Sequence, residues 1–543
     1  MRIFTNHKVS KLNTGKLPDK YVAKYAGAKV YVNKLTRFNY QEIRKSNFDM
    51  VVDLLEKADI DYFIVPDLTN RNYRIGIHAK DRHKLIDSAL AVDNDSSIHI
   101  SLIDGGKHYK RHLPVPAVVL NKKFLEGGTI LRFCRFYGTQ SGGVFAGMEL
   151  GCDLEFWRQG SAISTNEIKS ISSNLGTAAP VDYVKESIVA PRKNKLSSVV
   201  HEDDQKVELI KIGNKKYKTL RPFNITHVDE VDFEIDVVYT WVDSSDIAWQ
   251  EQYNKYKNEP RVHKANNDSA RWLSRDELKY SLRSIDMYGH VIRNIYIVTM
   301  GQKPEWLDDS HPKITIVDHK DIFEDKSALP VFNSHAIESQ LHHIKGLAEK
   351  YLYLNDDFFF GGPVDIGAYY TSNGLSKVVD SDHQFGSGKP TDDEPAPSSA
   401  GKNVRRLLEE SYGRSVSNKL KHTPYPQMKS LSYEMEEKYN KEYKRTMYSR
   451  FRNKNDISFA GTFSLNYAYL NGKAIKTERD VRVITLGKEG FEAALARLAL
   501  ERGKLPSFCL NDGQDLGDKG NYVSKKAIEA MEYHFPFRAP WEK

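Results

Sequence analysis

The sequence predicts an α/β protein in two parts, a mixed α/β first half and, from about residue 225, a second half built on a largely parallel sheet. Three observations carry this. After residue 225, buried-type apolar runs alternate with amphipathic helices, the order of a layered α/β sheet. Before it, a helix–strand–strand–helix unit leads into a succession of short strands. At 543 residues the chain is too long for one core, since domains average roughly 150 residues. A hydrophobic content of 40% with 24 Phe and 30 Tyr excludes disorder throughout.

In the first half, Ile43, Met50, Val51, Leu54 and Leu55 recur at helical spacing and predict a helix over 41–58. YFIVP (62–66) and YRIGIHA (73–79) read as strands, DRHKLIDSALA as a helix, and SIHISLI, AVVL and ILRFCRFY as further strands. We expect an accessory amino-terminal domain over 1–190. The lysine-rich stretch 191–224 is expected to be a charged linker or an exposed hairpin, with the second domain occupying 225–543.

In the second half, IDVVYTWV (235–242) is a buried-type strand, SRDELKYSLRSIDMYG (274–289) a helix, and NIYIVT (294–299) and ITIVD (314–318) strands. SHAIESQLHHI (334–344) follows as a helix and YLYLN (351–355) as a strand. Ser274-x-x-Glu277 has the spacing of a capping box, and Leu278, Leu282 and Ile285 form an inward face. Residues 381–404, rich in Gly, Pro, Ser and Asp, are expected to form a mobile loop.

Charge and cysteine content narrow the setting. The net charge is +8, and nine basic residues stand against one acidic residue, Asp19, in the first 40. Such an arm suits an anionic membrane surface or another polyanion, or is simply a solvated face. Nucleic acid is excluded as a partner, because the arm lacks a base-reading motif. Cys134, Cys152 and Cys509 are far apart and without CxxC spacing, so neither a disulfide framework nor a cysteine zinc site is indicated. With no long apolar run and no secretory leader at the start, a cytoplasmic location is expected.

Ligands of open α/β sheets bind beyond the carboxyl ends of the strands. Two strands end there in acids, Asp243-Ser-Ser-Asp246 and Asn355-Asp356-Asp357. Each is also a common turn, but paired carboxylates at strand ends are what Mg²⁺ or Mn²⁺ beside a pyrophosphate requires. Arg275, Lys279 and Arg283 follow one helical flank with a drift of about 40° per step, with Arg271 just upstream; guanidinium groups there could bind phosphate oxygens, or pair with Asp276 and Asp286 on a solvated face. His335, His342, His343 and His422 are candidate bases, although a lone histidine is more often a satisfied surface or core group, and CLNDG (509–513) reads locally as a turn.

Four blocks resemble the Stealth family of sugar-1-phosphate transferases, the bacterial capsular and exopolysaccharide phosphotransferases. They are IDVVYTWVDSSD (235–246); ARWLSRDELKYSLRSI with IRNIYIVTMGQKPEWLD and LPVFNSHAIESQLHHIKGL (270–347); YLYLNDDFFF with HTPYPQ (351–360 and 422–427); and LPSFCLNDG (505–513). The resemblance spans roughly 232–515. It implies a Rossmann-like nucleotide-sugar transferase core with a helical carboxyl-terminal elaboration. The implied reaction moves hexose- or hexosamine-1-phosphate from a nucleotide sugar, commonly UDP-linked, to a hydroxyl of a growing, lipid-linked or free polysaccharide. The nucleoside monophosphate is released, at the inner face of a bacterial membrane.

Carried over by residue, the resemblance makes Asp243, Arg275, Arg283 and His422 catalytic candidates, with His422 or Asp243 as the base. Asp236, Arg271, Asp276, Glu277 and Asn355 become substrate-binding candidates, and Asp356, Asp357, Asn511 and Asp512 metal ligands. Two rivals remain open: a metal-dependent glycosyltransferase that releases the nucleoside diphosphate, and a non-catalytic polyanion-binding protein.

Overall fold

The computed structural model describes residues 19–67, 72–89, 97–104, 107–115, 128–257, 274–512 and 519–543. The chain divides into two compact units, Met1–His227 and Val228–Lys543. Arg2, Lys8, Lys11 and Lys16 of the basic arm, the AVVL strand at 117–120 and Arg271 lie outside the described residues.

In the first unit a mixed sheet runs in the order Lys20–Tyr25, Ala28–Lys34, Ile130–Thr139, Cys152–Gln159, Arg74–His78, Phe63–Val65, Lys215–Leu220 and Val207–Ile212. The helix Tyr40–Lys57 starts where the Asn39 side chain accepts from the backbone of Gln41 and Glu42. Its Phe48, Val51 and Leu55 pack in one core with Ile75, Ile77, Leu131 and Leu154 of the sheet. The charged stretch 191–224 takes the hairpin form rather than the linker form. Val207–Ile212 pairs antiparallel with Lys215–Leu220, and Tyr217, Thr219 and Leu220 are buried. Its lysines alternate with these inward residues, so high charge along the sequence coexists with one apolar face.

Beneath this sheet lies a buried ionic network. Arg132 grips Asp153 through two bonds of 2.6 and 2.9 Å, and Arg192 bonds Asp153 and Glu155 at 2.7 Å each. Arg74 pairs with Asp67 and lies 3.9 Å from Glu155. Burial pushes the Asp153 carboxyl up, but its two guanidinium partners outweigh burial and hold it below the usual carboxylate range.

The second unit is built on a five-stranded sheet in the order Ile314–Asp318, Ile292–Thr299, Ile235–Thr240, Lys350–Asn355, Tyr425–Met428. The first four strands are parallel and the last is antiparallel. Two cores cover its faces, one including Val237, Tyr239, Leu278 and Leu352, the other Val238, Tyr296, Tyr353 and Met435. Residues that alternate along a strand thus serve opposite layers, which is why these strands read as continuous apolar runs. A small second sheet, Phe358–Phe359 with Ser507–Asp512 and Val481–Leu486, adjoins it, followed by the helix Gly520–His534. Helices Ala396–Tyr412, Lys429–Lys438 and Asn440–Met447 supply the helical elaboration. No helix among the described residues is long and apolar enough to cross a membrane.

Four local expectations are corrected. The helix expected at 274–289 spans Glu277–Tyr288, with Asp276 at its N-cap in the left-handed region, φ 61°. The capping box does not form, because Glu277 turns back to accept from the Arg275 backbone at 2.7 Å while the Ser274 hydroxyl accepts from Asp276 N at 3.2 Å. The helix expected at 334–344 breaks into Ser334–Glu338 and a single turn at Leu341–His343. The expected loop 381–404 ends in a helix that begins at Ala396, where Pro397 in the first turn costs no hydrogen bond. A Cβ on Gly401 would meet the Phe385 ring at 2.4 Å, so that glycine packs a close contact instead of loosening the chain.

Candidate active site

The strand order places the first strand, Ile235–Thr240, between the second and the fourth, so successive connections leave it in opposite directions. A crevice opens at such a switch point, beyond the carboxyl ends of Ile235–Thr240 and Lys350–Asn355, where ligands of open α/β sheets bind. Asp243 and the turn Asn355-Asp356-Asp357 both lie there.

The second turn is held from below. Tyr239 and Ser281 share a 2.6 Å hydroxyl bond, and Ser281 donates to the Phe358 carbonyl. On the far side, Phe358 pairs with Cys509, and Leu510 N donates to the Asp357 carbonyl at 3.2 Å. The block at 505–513, far along the chain, is therefore one wall of the site. Cys509 Sγ donates to Asp357 Oδ2 at 3.2 Å, and His422 Nε2 lies 3.8 Å from the same oxygen. Asp357 Oδ1 and His422 Nε2 are buried without hydrogen-bond partners. The His422 ring rests edge-on against Phe358 at 4.5 Å, and burial pushes its pKa down to about 4, so the imidazole is neutral with a free lone pair.

Negative charge gathers here without matching cations. Burial, reinforced by Glu277 and Asp512, pushes the Asp357 carboxyl up to about 7. Burial, Glu277 and Asp357 push Asp356 well above the carboxylate range. The strongly placed cation, Arg275, is already engaged: it binds both oxygens of Asp512 at 2.9 and 3.0 Å, Glu277 at 3.0 Å and the Ser524 hydroxyl at 2.9 Å. Two under-neutralised carboxylates, one with an open oxygen, are a hard oxygen donor set that fits Mg²⁺ or Mn²⁺. Asp357, His422 and Cys509 also bring one ligand atom each within 4.8 Å of one another.

The expected site residues divide into those brought together and those set apart. Asp243, Asn355, Asp356, Asp357 and His422 border the crevice. Asp243 Oδ1 accepts from Ser245 N and Oγ at 2.8 and 2.6 Å, and Gln302 clamps the loop by bonding the Asp243 backbone and Asp246. Asn355 accepts from Tyr353 OH at 3.1 Å. Asn511 ends its strand beside Asp512, both partly buried. Both oxygens of Asp512 accept from Arg275, which also bonds Glu277, so these three residues brace one another in this structure.

Arg283 is set apart. It grips Glu542 through two 2.7 Å bonds and donates to the Phe535 carbonyl at 3.1 Å, tying the carboxyl-terminal segment to the helix. With Lys279 over the Trp306 ring at 5.9 Å, the cationic stripe dissolves into three separate attachments. Asp236 stands at the opposite end of its strand, fully buried, accepting from Arg293, Asn294 N and Ala348 N. It is a structural joint. Asp276 is exposed at the helix start.

Sequence reasoning missed a second polar cluster beside Asn355. Tyr353 OH also contacts Thr240 Oγ1 at 3.1 Å and Glu338 Oε1 at 3.3 Å. Glu338 and Asp456 oppose the burial that lowers the Arg452 pKa, and Arg452 donates to Ser334 Oγ at 3.0 Å. Asn333 bonds Asp456 at 2.8 Å, and His335 lies 3.8 Å from the same carboxylate oxygen. Nothing in the spacing of RFRN marks Arg452; only the fold carries it to the crevice.

Models of Stealth protein conserved regions 1, 2 and 3 match residues 233–260, 271–378 and 421–469. The exopolysaccharide phosphotransferase SCO6023 of Streptomyces coelicolor is 32% identical over 504 residues, covering 92% of this chain and 83% of that protein. The exopolysaccharide phosphotransferase CpsY of Mycobacterium tuberculosis is 31% identical over 508 residues, covering 93% and 89%. A solved galactosyltransferase, LgtC with donor and acceptor sugar analogs, aligns over 54% of this chain and 95% of its own at 11% identity and TM-score 0.27, too distant to argue from.

Proposed function

Because this chain belongs to the Stealth family, whose curated relatives here are named exopolysaccharide phosphotransferases, we propose that it transfers a hexose- or hexosamine-1-phosphate from a UDP-sugar to a hydroxyl of a growing glycan. The acceptor oxygen forms a bond to the phosphorus that carries the sugar, the bond from that phosphorus to the UMP oxygen breaks, and UMP departs. The observation that carries this reading is the juxtaposition, at the switch point of the sheet, of Asp357, whose Oδ1 is open, and the neutral, unpartnered His422, whose Nε2 lies 3.8 Å from the other carboxylate oxygen.

Each residue then has a task. His422 Nε2 accepts the proton of the acceptor hydroxyl, and the Asp357 carboxylate 3.8 Å away stabilises the imidazolium that results. Asp356 and Asp357 would hold a divalent cation, which when bound would neutralise the donor pyrophosphate. Arg275 keeps Asp512 and Glu277 neutralised and fixes the wall that carries Cys509. Arg452, in the second cluster, would supply a guanidinium that offsets charge on the donor phosphate oxygens.

The test is product identity. Purified protein incubated with UDP-sugars and an acceptor glycan should release UMP, with the sugar-proximal phosphorus in a phosphodiester of the product. UDP as sole product with phosphate-free glycan would assign the chain to sugar transfer instead.

A further inference from the structure

Beside the segment 420–426, and lined by Thr423, Pro424, Tyr425 and Pro426, lies a small open pocket. Its lining holds three cations, Lys377, Lys421 and Arg479, together with Thr423 and Tyr425, and no carboxylate. This is the reverse of the acidic turn nearby. The free volume of about 10 Å³ is enough for one oxygen-sized group, such as one oxygen of an anion.

Arg479 makes the pocket more than a basic surface. The residue is 8% exposed, its Nε has no partner, and its guanidinium lies 4.1 Å over the Tyr369 ring. Its bonds go to neutral acceptors, the Ala368 carbonyl at 2.5 Å and, at 3.5 Å, the Thr423 hydroxyl. Lys377 donates to the Gly367 carbonyl at 2.6 Å. Buried guanidinium groups elsewhere in this chain, Arg132 and Arg275, each have a carboxylate. Withdrawing a cation from water without a counter-charge is costly, and a bound oxyanion removes that cost.

We infer that this pocket is an oxyanion subsite for a phosphodiester of the acceptor glycan. The inference rests on the proposed function in one respect: a chain grown by sugar-phosphate transfer carries a phosphodiester close to the hydroxyl it offers. The lining includes Lys421 and Thr423, the residues on either side of His422, the base of the proposed reaction, so an anion held there lies within one residue of that base. Lys421 and Lys377 supply point charge, and Arg479 supplies the planar donor at the floor.

The experiment titrates the full-length protein with dimethyl phosphate, the simplest phosphodiester, followed by ³¹P NMR relaxation with UMP saturating the donor site. Wild type should bind, and Lys421→Gln, a partly exposed residue, should weaken binding about 5- to 10-fold with an unchanged melting temperature. Arg479→Lys should do the same, since charge without the fork is insufficient, while Asp357→Asn should bind normally. The subsite is refuted by absence of binding, by indifference to Lys421→Gln, or by competition from UMP, which would give the anion to the donor. Inorganic phosphate binding more tightly than dimethyl phosphate would refute the diester assignment. The proposed function fails separately, by absence of UMP release from every donor, and this binding measurement does not depend on turnover.

Discussion

Asp153 in the first unit and Asp357 in the second are both withdrawn from water, and their carboxyl groups move in opposite directions. Asp153 is fully buried yet held below the usual range, because Arg132 and Arg192 outweigh burial. Asp357, with a side chain 20% exposed, is pushed up to about 7 by burial, reinforced by Glu277 and Asp512, because the local guanidinium is spent on Asp512. Burial alone therefore does not identify a working residue. A carboxylate with cations is an internal joint; one with an open oxygen and other acids for company is waiting for a ligand.

Removing each group should expose the difference. Asp357→Asn, nearly isosteric, should abolish UMP release by at least ~1,000-fold, equivalent to about 4 kcal/mol of transition-state stabilisation, while the melting temperature holds or rises. It should also abolish the rise in melting temperature that Mn²⁺ gives wild type. Retained turnover, or a collapse of the fold, would place Asp357 in the same class as Asp153.

His422→Asn should lower turnover ~100- to 10,000-fold and leave the Mn²⁺ effect in place, as removal of a general base does. Loss of the Mn²⁺ shift in that variant would make His422 a ligand. In the first unit, Asp153→Asn should cost about 3 kcal/mol of stability, read by denaturant unfolding, because buried Arg132 loses its counter-charge and Arg192 keeps only Glu155. An unchanged unfolding midpoint would show that the ionic network contributes nothing.

A third response to burial is neutralisation, and it makes a pH prediction. His319, buried with an unpartnered Nδ1, is pushed down to about 4 by burial, against which Asp318 acts only weakly. Its folded pKa is below its unfolded value near 6.5, so between these values the unfolded chain binds more protons. Stability should fall as pH drops from about 6.5 to 4, by up to about 3 kcal/mol from this residue, and His319→Asn should flatten that slope. The smallest effect is expected at Arg283→Lys. Loss of the forked grip on Glu542 should cost about 1 kcal/mol of stability with turnover within twofold of wild type; a large loss of turnover would return Arg283 to the phosphate site.

What the sequence determined by itself is local. The strands at 235–240, 292–299 and 350–355 were legible because residues buried on both faces leave unbroken apolar runs, and Leu278, Leu282 and Ile285 because one helical face is covered. The acids at two strand ends were legible for the same reason, since a strand's end fixes where its next residues emerge. Arg275 and Arg283 read alike as part of one cationic flank, and Asp236 read like Asp243. Nothing local separates them, because the partners that occupy them, Asp512, Glu542 and Arg293, lie 237, 259 and 57 residues away. Arg452, Glu338 and Cys509 were invisible as site residues for the converse reason: their chemistry is ordinary until the chain brings them to the crevice. Charge pairing and desolvation act through space at a few ångströms, so the tertiary structure alone decided which ionisable groups are spent on the fold and which are left to work.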